Sequence, residues 1–413
     1  MTFVYCDAAL ANEQGHFATF CRHFTGELRR LTSDLLVLGH ARIEPELAAA
    51  LGATPFFRFH PNASTCDDPL CGPLTDFIQA ARITAEDFSR LAGFTADNIV
   101  FYEHAKQAQL MALIDWAQAR FSPETCPLIV VTFGWPGGVE RGVATDGRAA
   151  WRITDQRMAF YRHASRMLTP AFAPRFRFAA YDPSVAAAYQ FLLGRPVRVF
   201  PAPLGPTRPS RDRSATLRPT IAFLGEQRLE KGLARIPGIV RELLARHDSI
   251  RILVHNSWQE PRPENAALQA LAAADSRLEV VLGATPAARW DQMLEATDLL
   301  VLPYESSVYA TAISGTAIEA TACGIPLVAP QGTTMERLMQ GYGMPGVVCP
   351  TSAPPDVVAA VGEVLANYPA FAQRAAAAGR RWQETAGAGQ LVRAILACRD
   401  QPGAIANRRQ SGD

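Results

Sequence analysis

The chain has 413 residues, 48% of them hydrophobic and 19% charged, which is enough apolar material for two domains. Forty Lys and Arg against thirty-nine Asp and Glu give a net charge of +1, which argues against a dedicated nucleic-acid-binding protein. No apolar run is long enough to span a bilayer, and the first residues lack the basic and apolar segments of a signal peptide. The eight cysteines show no zinc-binding spacing. We therefore expect a cytoplasmic enzyme with reduced thiols and no structural metal.

In the first half, short β-rich runs alternate with longer helical patterns, which predicts an α/β fold with a parallel sheet. The predicted strands are 3–5, 35–38, 56–59, 99–102, 128–133, 176–180 and 197–200. The predicted helices include 16–31, 106–119 and 151–168. Arginines spread around the last of these helices are typical of a solvated surface, and contact with an anionic acceptor or a weak peripheral contact with a membrane surface are the alternatives.

Residues 205–219, with three prolines and four arginines, interrupt the pattern and predict a linker. The same alternation then resumes, with predicted strands 220–224, 250–255, 278–282, 299–303, 326–329 and 346–349 and predicted helices 232–246, 264–274, 287–296, 316–323, 334–340 and 355–367. We predict Rossmann-like domains at 1–204 and 220–385, a C-terminal helix at 386–400 and a flexible tail at 401–413. The two doubly wound sheets are expected to face a central cleft at the carboxyl ends of their strands.

Lysine is rare in this chain, because only Lys106 and Lys231 accompany 38 arginines. A coding bias towards arginine explains the excess, but a retained lysine can fill a role that the planar guanidinium cannot. Lys231 lies in the run FLGEQRLEKG, where a buried strand ends at Gly225 and a helix is expected after Gly232. Arg228 and Lys231 are well placed there to bind a diphosphate. A solvated loop with ordinary surface charges is the alternative.

A second motif spans residues 300–330, where a buried strand leads through an irregular loop to a helix that begins near Ser314 and Gly315. Free amides at a helix start form an anion site. Glu319, about one turn further on, can accept hydrogen bonds from both hydroxyls of a ribose, although a carboxylate near a helix start is also favoured by the helix dipole. Together the two motifs predict a site for a nucleoside diphosphate.

The second half resembles the donor-binding domain of GT-B glycosyltransferases, in particular the retaining enzymes of glycosyltransferase family 4. The matching positions are Gly225, Lys231-Gly232, Pro303-Tyr304, Glu319-Ala320, Cys323-Gly324, Pro326 and Val328. The resemblance implies a GT-B fold, a nucleotide-sugar donor, retention of anomeric configuration without a metal, and a C-terminal helix that crosses back to the first domain. It also implies a role in bacterial polysaccharide or glycoconjugate synthesis, in the cytoplasm or at the inner face of the membrane.

The sequence departs from the family pattern at three places. Glu226 stands where the family often has arginine, so Arg228 is expected to fill that role. Thr311 stands where the first glutamate of the family motif is expected. The strand that ends near Phe133 is followed by Gly134 and Trp135 rather than the family's histidine.

Further candidate residues lie at predicted strand ends and loops. The resemblance assigns Gly15 to the donor phosphates and His16 to the acceptor, whereas a plain loop and helix cap is the reading without it. His104, with Glu103 beside it, is a candidate catalytic residue at the cleft edge, and His255 is a candidate on the donor side. Either histidine can instead be a structural residue.

We predict a glycosyltransferase that moves a sugar from a nucleotide-diphosphate donor to a hydroxyl of a glycan or other acceptor. Arg228 and Lys231 would stabilise the leaving diphosphate, together with the amides near Ser314 and Gly315. A nucleotide-sugar epimerase of the same fold and a non-catalytic paralogue that supports a partner transferase are the alternatives. A nicotinamide-dependent dehydrogenase is disfavoured, because no Gly-x-Gly-x-x-Gly motif follows the early strands.

Overall fold

The computed structural model describes residues 1–13, 16–32, 34–65, 72–143, 149–202, 211–258 and 261–400. They divide into two compact units. The described residues of Met1–Asn12, Phe20–Phe200 and Leu391–Asp413 form the first unit, and those of Glu13–Thr19 and Pro201–Gln390 form the second.

The first unit contains a seven-stranded parallel sheet in the order β3-β2-β1-β4-β5-β8-β9 and a separate antiparallel hairpin, β6-β7. Its strands are β1 (Phe3–Cys6), β2 (Leu35–His40), β3 (Ala53–Phe57), β4 (Ile99–Tyr102), β5 (Leu128–Thr132), β6 (Val139–Val143), β7 (Ala149–Ile153), β8 (Phe176–Ala180) and β9 (Arg198–Val199). Strands β1, β4 and β5 are buried throughout, as expected for an apolar parallel sheet covered on both faces.

Six helices precede residue 200: α1 (Phe17–Arg29), α2 (Pro45–Leu51), α3 (Pro73–Ser89), α4 (Gln107–Arg120), α5 (Ala159–Met167) and α6 (Pro183–Leu193). Three of them begin at a proline, whose fixed φ suits a first helical turn. The prediction of one helix over 151–168 is wrong in its first part, because Trp151 and Ile153 lie in β7 and pair with β6. A strand suits these bulky and β-branched side chains.

The second unit contains a six-stranded parallel sheet in the order β12-β11-β10-β13-β14-β15. Its strands are β10 (Thr220–Phe223), β11 (Arg251–Asn256), β12 (Leu278–Leu282), β13 (Leu299–Val301), β14 (Leu327–Pro330) and β15 (Gly346–Cys349). Successive side chains of β10 point to opposite faces of the sheet, so Ile221 and Phe223 pack in one hydrophobic core and Ala222 packs in the other.

The remaining helices are α7 (Ile236–Arg246), α8 (Pro263–Ala274), α9 (Ala287–Ala296), α10 (Ser306–Tyr309), α11 (Gly315–Ala322), α12 (Thr334–Tyr342), α13 (Pro354–Ala366), α14 (Tyr368–Thr385) and α15 (Ala388–Asp400). Helix α7 starts four residues later than predicted, since two short 3-10 turns, Leu229–Lys231 and Leu233–Arg235, precede it. Most of α15 belongs to the first unit, where Arg399 pairs with Asp97.

The end of the predicted linker is packed rather than free. Residues 203–210 lie outside the described part of the chain. Arg213 is buried in the second unit, where it donates to the Cys323 carbonyl at 3.1 Å and its Nε lies 3.8 Å from a carboxylate oxygen of Asp298. A buried guanidinium with these partners holds the chain close to the start of β10.

The six cysteines in the described residues are free, in agreement with the expected reduced thiols. Within the same residues, His, Cys, Asp and Glu side chains form no group of three that could hold a metal ion. No helix in the described ranges combines the length and the apolar character needed to cross a membrane.

Candidate functional site

The candidate phosphate site lies at the switch point of the second sheet, where the order in which the strands are added reverses. Strands β11 and β12 lie on one side of β10, and β13, β14 and β15 lie on the other. In such sheets ligands bind at the carboxyl ends of the strands next to this switch point. Gly225 follows β10 there with φ of 114°, a conformation that L side chains rarely adopt.

Lys231 points to the space above Gly225. A Cβ atom added to Gly225 would lie 3.8 Å from the Lys231 ammonium nitrogen and 3.4 Å from the hydroxyl oxygen of Thr316. Burial and the nearby positive charge of Arg228 lower the pKa of Lys231 to about 8, although the charges of Glu226 and Glu230 oppose the shift. Among the described residues, Lys231 forms no ion pair with a carboxylate. The ammonium group lies 5.7 Å from the centre of the Tyr304 ring, and within the described part of the chain no carboxylate lies within ion-pair distance of it.

Gly232 explains why Lys231 takes this position. Its φ is 82°, and a Cβ atom there would lie 2.2 Å from the Pro303 carbonyl oxygen, just after β13. Only glycine allows this approach of the two backbones. Lys231 and Gly232 thus lie close to the ends of the two central strands, β10 and β13.

Arg228, the second predicted phosphate cation, is already paired. Its Nε lies 2.7 Å from Glu230, and a terminal nitrogen lies 3.8 Å from Glu226. Burial lowers the pKa of Arg228, but the two glutamates outweigh that effect and raise it overall. These glutamates already offset part of the charge of Arg228, whereas Lys231 has no such ion pair among the described residues, so Lys231 is the stronger candidate of the two.

The start of α11 provides amide donors beside Lys231. The Ser314 hydroxyl accepts a hydrogen bond from the Ala317 amide at 3.2 Å, which makes Ser314 the helix cap rather than an open ligand group. The Gly315 and Thr316 amides have no hydrogen-bond partner among the described residues. The Thr316 hydroxyl and the Lys231 ammonium group therefore lie close to Gly225, and the helix that carries Thr316 begins with two free amides.

Glu319 lies one turn after Gly315 on the same face of α11. One of its carboxylate oxygens accepts a hydrogen bond from the Trp290 indole at 3.2 Å. Burial raises the pKa of Glu319 to about 7, while the bond from Trp290 opposes the rise. The ribose contact of Glu319 stays a prediction, and Trp290 orients its carboxyl group.

His255, in β11, contacts the backbone of the loop at Gly225. Its Nδ1 accepts from the Gly225 amide at 3.4 Å and its Nε2 donates to the Gly283 carbonyl at 3.1 Å, so the imidazole is neutral with its proton on Nε2. Burial lowers the pKa of His255. With both ring nitrogens engaged by backbone groups, His255 positions the loop instead of offering a nitrogen to a ligand.

The first sheet has its own switch point, between β1 and β4, and two buried carboxyl groups lie there. Asp7 follows β1 and accepts from the Ala9 amide at 2.9 Å. Glu103 follows β4 and accepts from the hydroxyls of Thr132 and Tyr181, each at 2.6 Å. Burial raises the pKa of both carboxyl groups to about 7.

His104 continues this cluster. Its φ of 52° is the only positive value at a non-glycine residue in the described part of the chain. Its Nε2 lies 3.2 Å from Glu103, and its side chain is 23% exposed. Burial and the charge of Lys106 lower the pKa of His104 to about 4, so the imidazole is neutral at pH 7. A strained backbone and a buried carboxyl partner are features of functional histidines.

The remaining candidates are less informative. Gly15 lies outside the described residues. His16 is exposed, with its ring 4.3 Å from that of Phe17. Thr311, at the position of the missing family glutamate, is buried. Glu305, in the loop after β13, forms an ion pair with Arg235.

The sequence analysis did not identify Thr316 or Trp290 as site residues. Tertiary folding brings the Thr316 hydroxyl close to Gly225 and the Trp290 indole to Glu319. Asn256, which the sequence places beside His255 at the end of a strand on the donor side, has a buried amide oxygen that accepts from the Gln227 amide at 2.9 Å. This contact shapes the loop after Gly225.

The comparisons with known proteins concern the family and the fold of the chain. A family model described as Glycosyl transferases group 1 matches residues 218–367. No curated protein matches the chain. Three similar solved structures are HepE from Anabaena in complex with UDP (14% identity, 96% of this chain and 100% of that chain covered, TM-score 0.62), sucrose-phosphate synthase from Thermosynechococcus elongatus (16%, 96% and 99%, TM-score 0.60) and a candidate UDP-N-acetylglucosamine 2-epimerase from Listeria monocytogenes (11%, 96% and 94%, TM-score 0.58).

Two Rossmann-like units with parallel sheets define the α/β architecture of the GT-B class, and the solved structures confirm this predicted fold. The second unit carries a Glycosyl transferases group 1 domain. The resemblance to GT-B glycosyltransferases and the prediction of a glycosyltransferase enzyme are both confirmed. The narrower assignment to family 4 stays a prediction.

Proposed function

We propose that this enzyme transfers a sugar from a nucleoside-diphosphate sugar to a hydroxyl acceptor, with the diphosphate held above Gly225. The observation that carries the proposal is the ammonium group of Lys231, which is half-buried beside Gly225 and Thr316 and has no carboxylate partner among the described residues. An anionic ligand would restore the charge balance that burial disturbs. Solved structures of similar fold were obtained with UDP and with UDP-glucose, which supports a nucleotide-sugar donor.

The proposed reaction breaks the bond between the anomeric carbon and the diphosphate oxygen. A bond from that carbon to the acceptor oxygen forms, the acceptor proton leaves, and the nucleoside diphosphate is released. Negative charge develops on the departing diphosphate, and fixed donors in a dry site lower the barrier most where charge develops. Lys231 and the amides of Gly315 and Thr316 would supply these donors, with Arg228 as a further cation.

The other predicted residues take supporting roles in this proposal. Glu319 would accept hydrogen bonds from the ribose hydroxyls, and His255 would hold the Gly225 loop in register. His104 and Glu103 would act on the acceptor hydroxyl, since the neutral imidazole can accept a proton. Because protein groups meet the charge of the diphosphate, we expect turnover to persist when divalent metals are chelated.

A nucleotide-sugar epimerase is a second candidate, and one observation favours it. Epimerisation needs acid and base groups around the sugar, and Asp7 and Glu103 are buried carboxyl groups with pKa values raised to about 7. A structure of similar fold is described as a candidate UDP-N-acetylglucosamine 2-epimerase. An epimerase would release a changed sugar nucleotide without any acceptor.

The test is a panel of UDP, GDP, ADP and TDP sugars with Lys231→Ala as the main variant. We expect release of the nucleoside diphosphate by the wild type and about a hundredfold lower turnover by the variant, as for the loss of one donor to a developing anion. Arg246→Ala, which removes an exposed cation paired with Glu242 at the end of α7, is the matched control. Wild-type turnover in Lys231→Ala would overturn the diphosphate site, and a changed sugar epimer would favour the epimerase.

A further inference from the structure

A cavity lies within the first unit. Its volume is about 460 Å3, within the range of small-ligand pockets. Lys106, just after β4, and Trp135, just after β5, place it at the carboxyl edge of the first sheet. Helices α3 and α5 close it with the rings of Phe77 and Phe160, which stack at 4.4 Å. We refer to this cavity as the Trp135 pocket.

Trp135 offers a flat apolar face at the pocket. A Cβ atom added to Gly137 would lie 3.1 to 3.2 Å from three atoms of the indole ring, so the ring lies on the glycine backbone. Trp135 is nevertheless 50% exposed, one of the few large apolar side chains that the described residues leave open to solvent. An exposed indole held in place by its own loop is a stacking platform for the apolar face of a ring.

Of the charged side chains around the Trp135 pocket, some have hydrogen-bond or ion-pair partners and Lys106 has no ion pair within the described residues. Arg157 donates from its Nε and from a terminal nitrogen to one carboxylate oxygen of Asp155, at 2.8 and 2.5 Å. Asp76 accepts from Thr65 and Ser64. Lys106 is half-buried and forms no ion pair among the described residues. The nearby charge of Arg157 and burial both lower the pKa of Lys106, so its charge is costly without a ligand.

We propose that the Trp135 pocket binds a sugar ring that carries a phosphate or carboxylate group, with the ring on Trp135 and the anion on Lys106. Asn62 and Gln107 also line the pocket. The Asn62 amide and the amide oxygen of Gln107, whose nitrogen donates to the Arg157 carbonyl at 3.1 Å, can bind ring hydroxyls. The proposal rests on the proposed function in one respect, namely that the bound ring serves as the acceptor or as part of it. A compact ammonium suits this position better than the planar guanidinium that the chain uses elsewhere.

The test is isothermal titration calorimetry of the full chain with a hexose 6-phosphate, a hexuronate and the neutral hexose, without any nucleotide sugar. We expect the wild type to bind at least one anionic ring about tenfold or more tightly than the neutral ring, because a charge-assisted contact discriminates by that amount. The phosphate and carboxylate arms identify which anion the pocket prefers. Lys106→Gln should abolish the preference, and Lys106→Arg should restore part of it.

Controls separate this proposal from the diphosphate site. Arg152→Gln removes an exposed cation of β7 that pairs with Glu140, and it should leave ring binding unchanged. Lys106→Gln and the wild type should bind UDP, GDP, ADP and TDP with equal affinity. If the wild type binds none of these nucleotides, that result counts against the proposed function alone. Trp135→Phe should weaken all three rings alike, and circular dichroism checks its fold.

Equal affinity for charged and neutral rings would overturn the role of Lys106. The whole proposal fails if no ring binds at millimolar concentration, either with or without nucleoside diphosphate. It also fails if ring binding survives unchanged in both Lys106→Gln and Trp135→Phe.

Discussion

At the scale of single residues, the two lysines have similar surroundings. Lys106 follows β4 of the first sheet and Lys231 follows β10 of the second, each at the carboxyl edge beside a switch point. Burial lowers the pKa of both ammonium groups, and neither forms an ion pair within the described residues. Such cations are destabilising unless a ligand neutralises them, which is why we assign them to binding.

The lowered pKa of Lys231 predicts a pH dependence of nucleotide binding. Since the pKa is about 8, the ammonium group loses its proton as the pH rises through 8, and its attraction for phosphate is lost. We expect the dissociation constant of a nucleoside diphosphate to increase by up to about tenfold per pH unit above pH 8. Lys231→Arg stays charged and should show a flat profile between pH 7 and 10. A sloping profile in that variant would assign the titration to another group.

Glu103 predicts a pH dependence of stability. Its pKa is about 7 in the folded chain against an ordinary value of 4.5, so ionisation opposes folding. The contribution of Glu103 to the stability of the wild type therefore falls by about 3 kcal/mol in total as the pH rises from about 4.5 to 7. Above pH 7 this contribution is constant. Glu103→Gln cannot ionise, and its advantage over the wild type should grow across this range. Urea denaturation at pH 5, 6, 7 and 8 measures the difference, and a constant difference would contradict the assignment.

At the scale of elements, the turn between β10 and α7 determines the site. It consists of two short 3-10 turns that meet at Gly232, and the glycine lets the chain pass against the Pro303 carbonyl. A continuous helix from Gly232 would have carried Lys231 on an ordinary first turn. The tight approach to β13 instead directs its side chain towards Gly225.

This arrangement makes opposite predictions for two glycines of the same segment. Gly232→Ala places a Cβ atom 2.2 Å from the Pro303 oxygen at a φ of 82°, so we expect a loss of about 2 kcal/mol or more and of nucleotide binding. Gly238→Ala in α7 meets only a Pro354 atom at 3.9 Å and should stabilise the helix by about 0.5 to 1 kcal/mol. Thermal denaturation of both variants tests the contrast. Equal effects would show that the close approach at Gly232 is not maintained in solution.

At the scale of the whole molecule, each unit has its own parallel sheet and the second has a core on each face of that sheet. The proposed donor groups from Gly225 to Glu319 all lie in the second unit, whereas the Asp7–Glu103–His104 cluster and the Trp135 pocket lie in the first. Separate cores allow the units to respond separately to ligands.

We therefore expect a nucleoside diphosphate to protect the second unit first. At a concentration one hundred times the dissociation constant, binding adds about 2.7 kcal/mol to the stability of the state that binds. Hydrogen exchange should slow in β10, β13 and α11, with little change in β1 and β4. Protection confined to the strands of the first unit would move the donor site there.

The sequence alone was sufficient for the fold class, the parallel strands and the motif positions from Gly225 to Glu319. These follow from apolar runs, glycines and helix starts, which are local signals, and from the family resemblance that they carry. The tertiary structure alone decided that Arg228 is paired with Glu230, that Ser314 caps its own helix, and that His255 holds a loop. It also brought Trp135 and Lys106 into one pocket and turned the start of a predicted helix into β7. Pairing, burial and strand partners depend on residues far apart along the chain, and no local pattern records which of them meet.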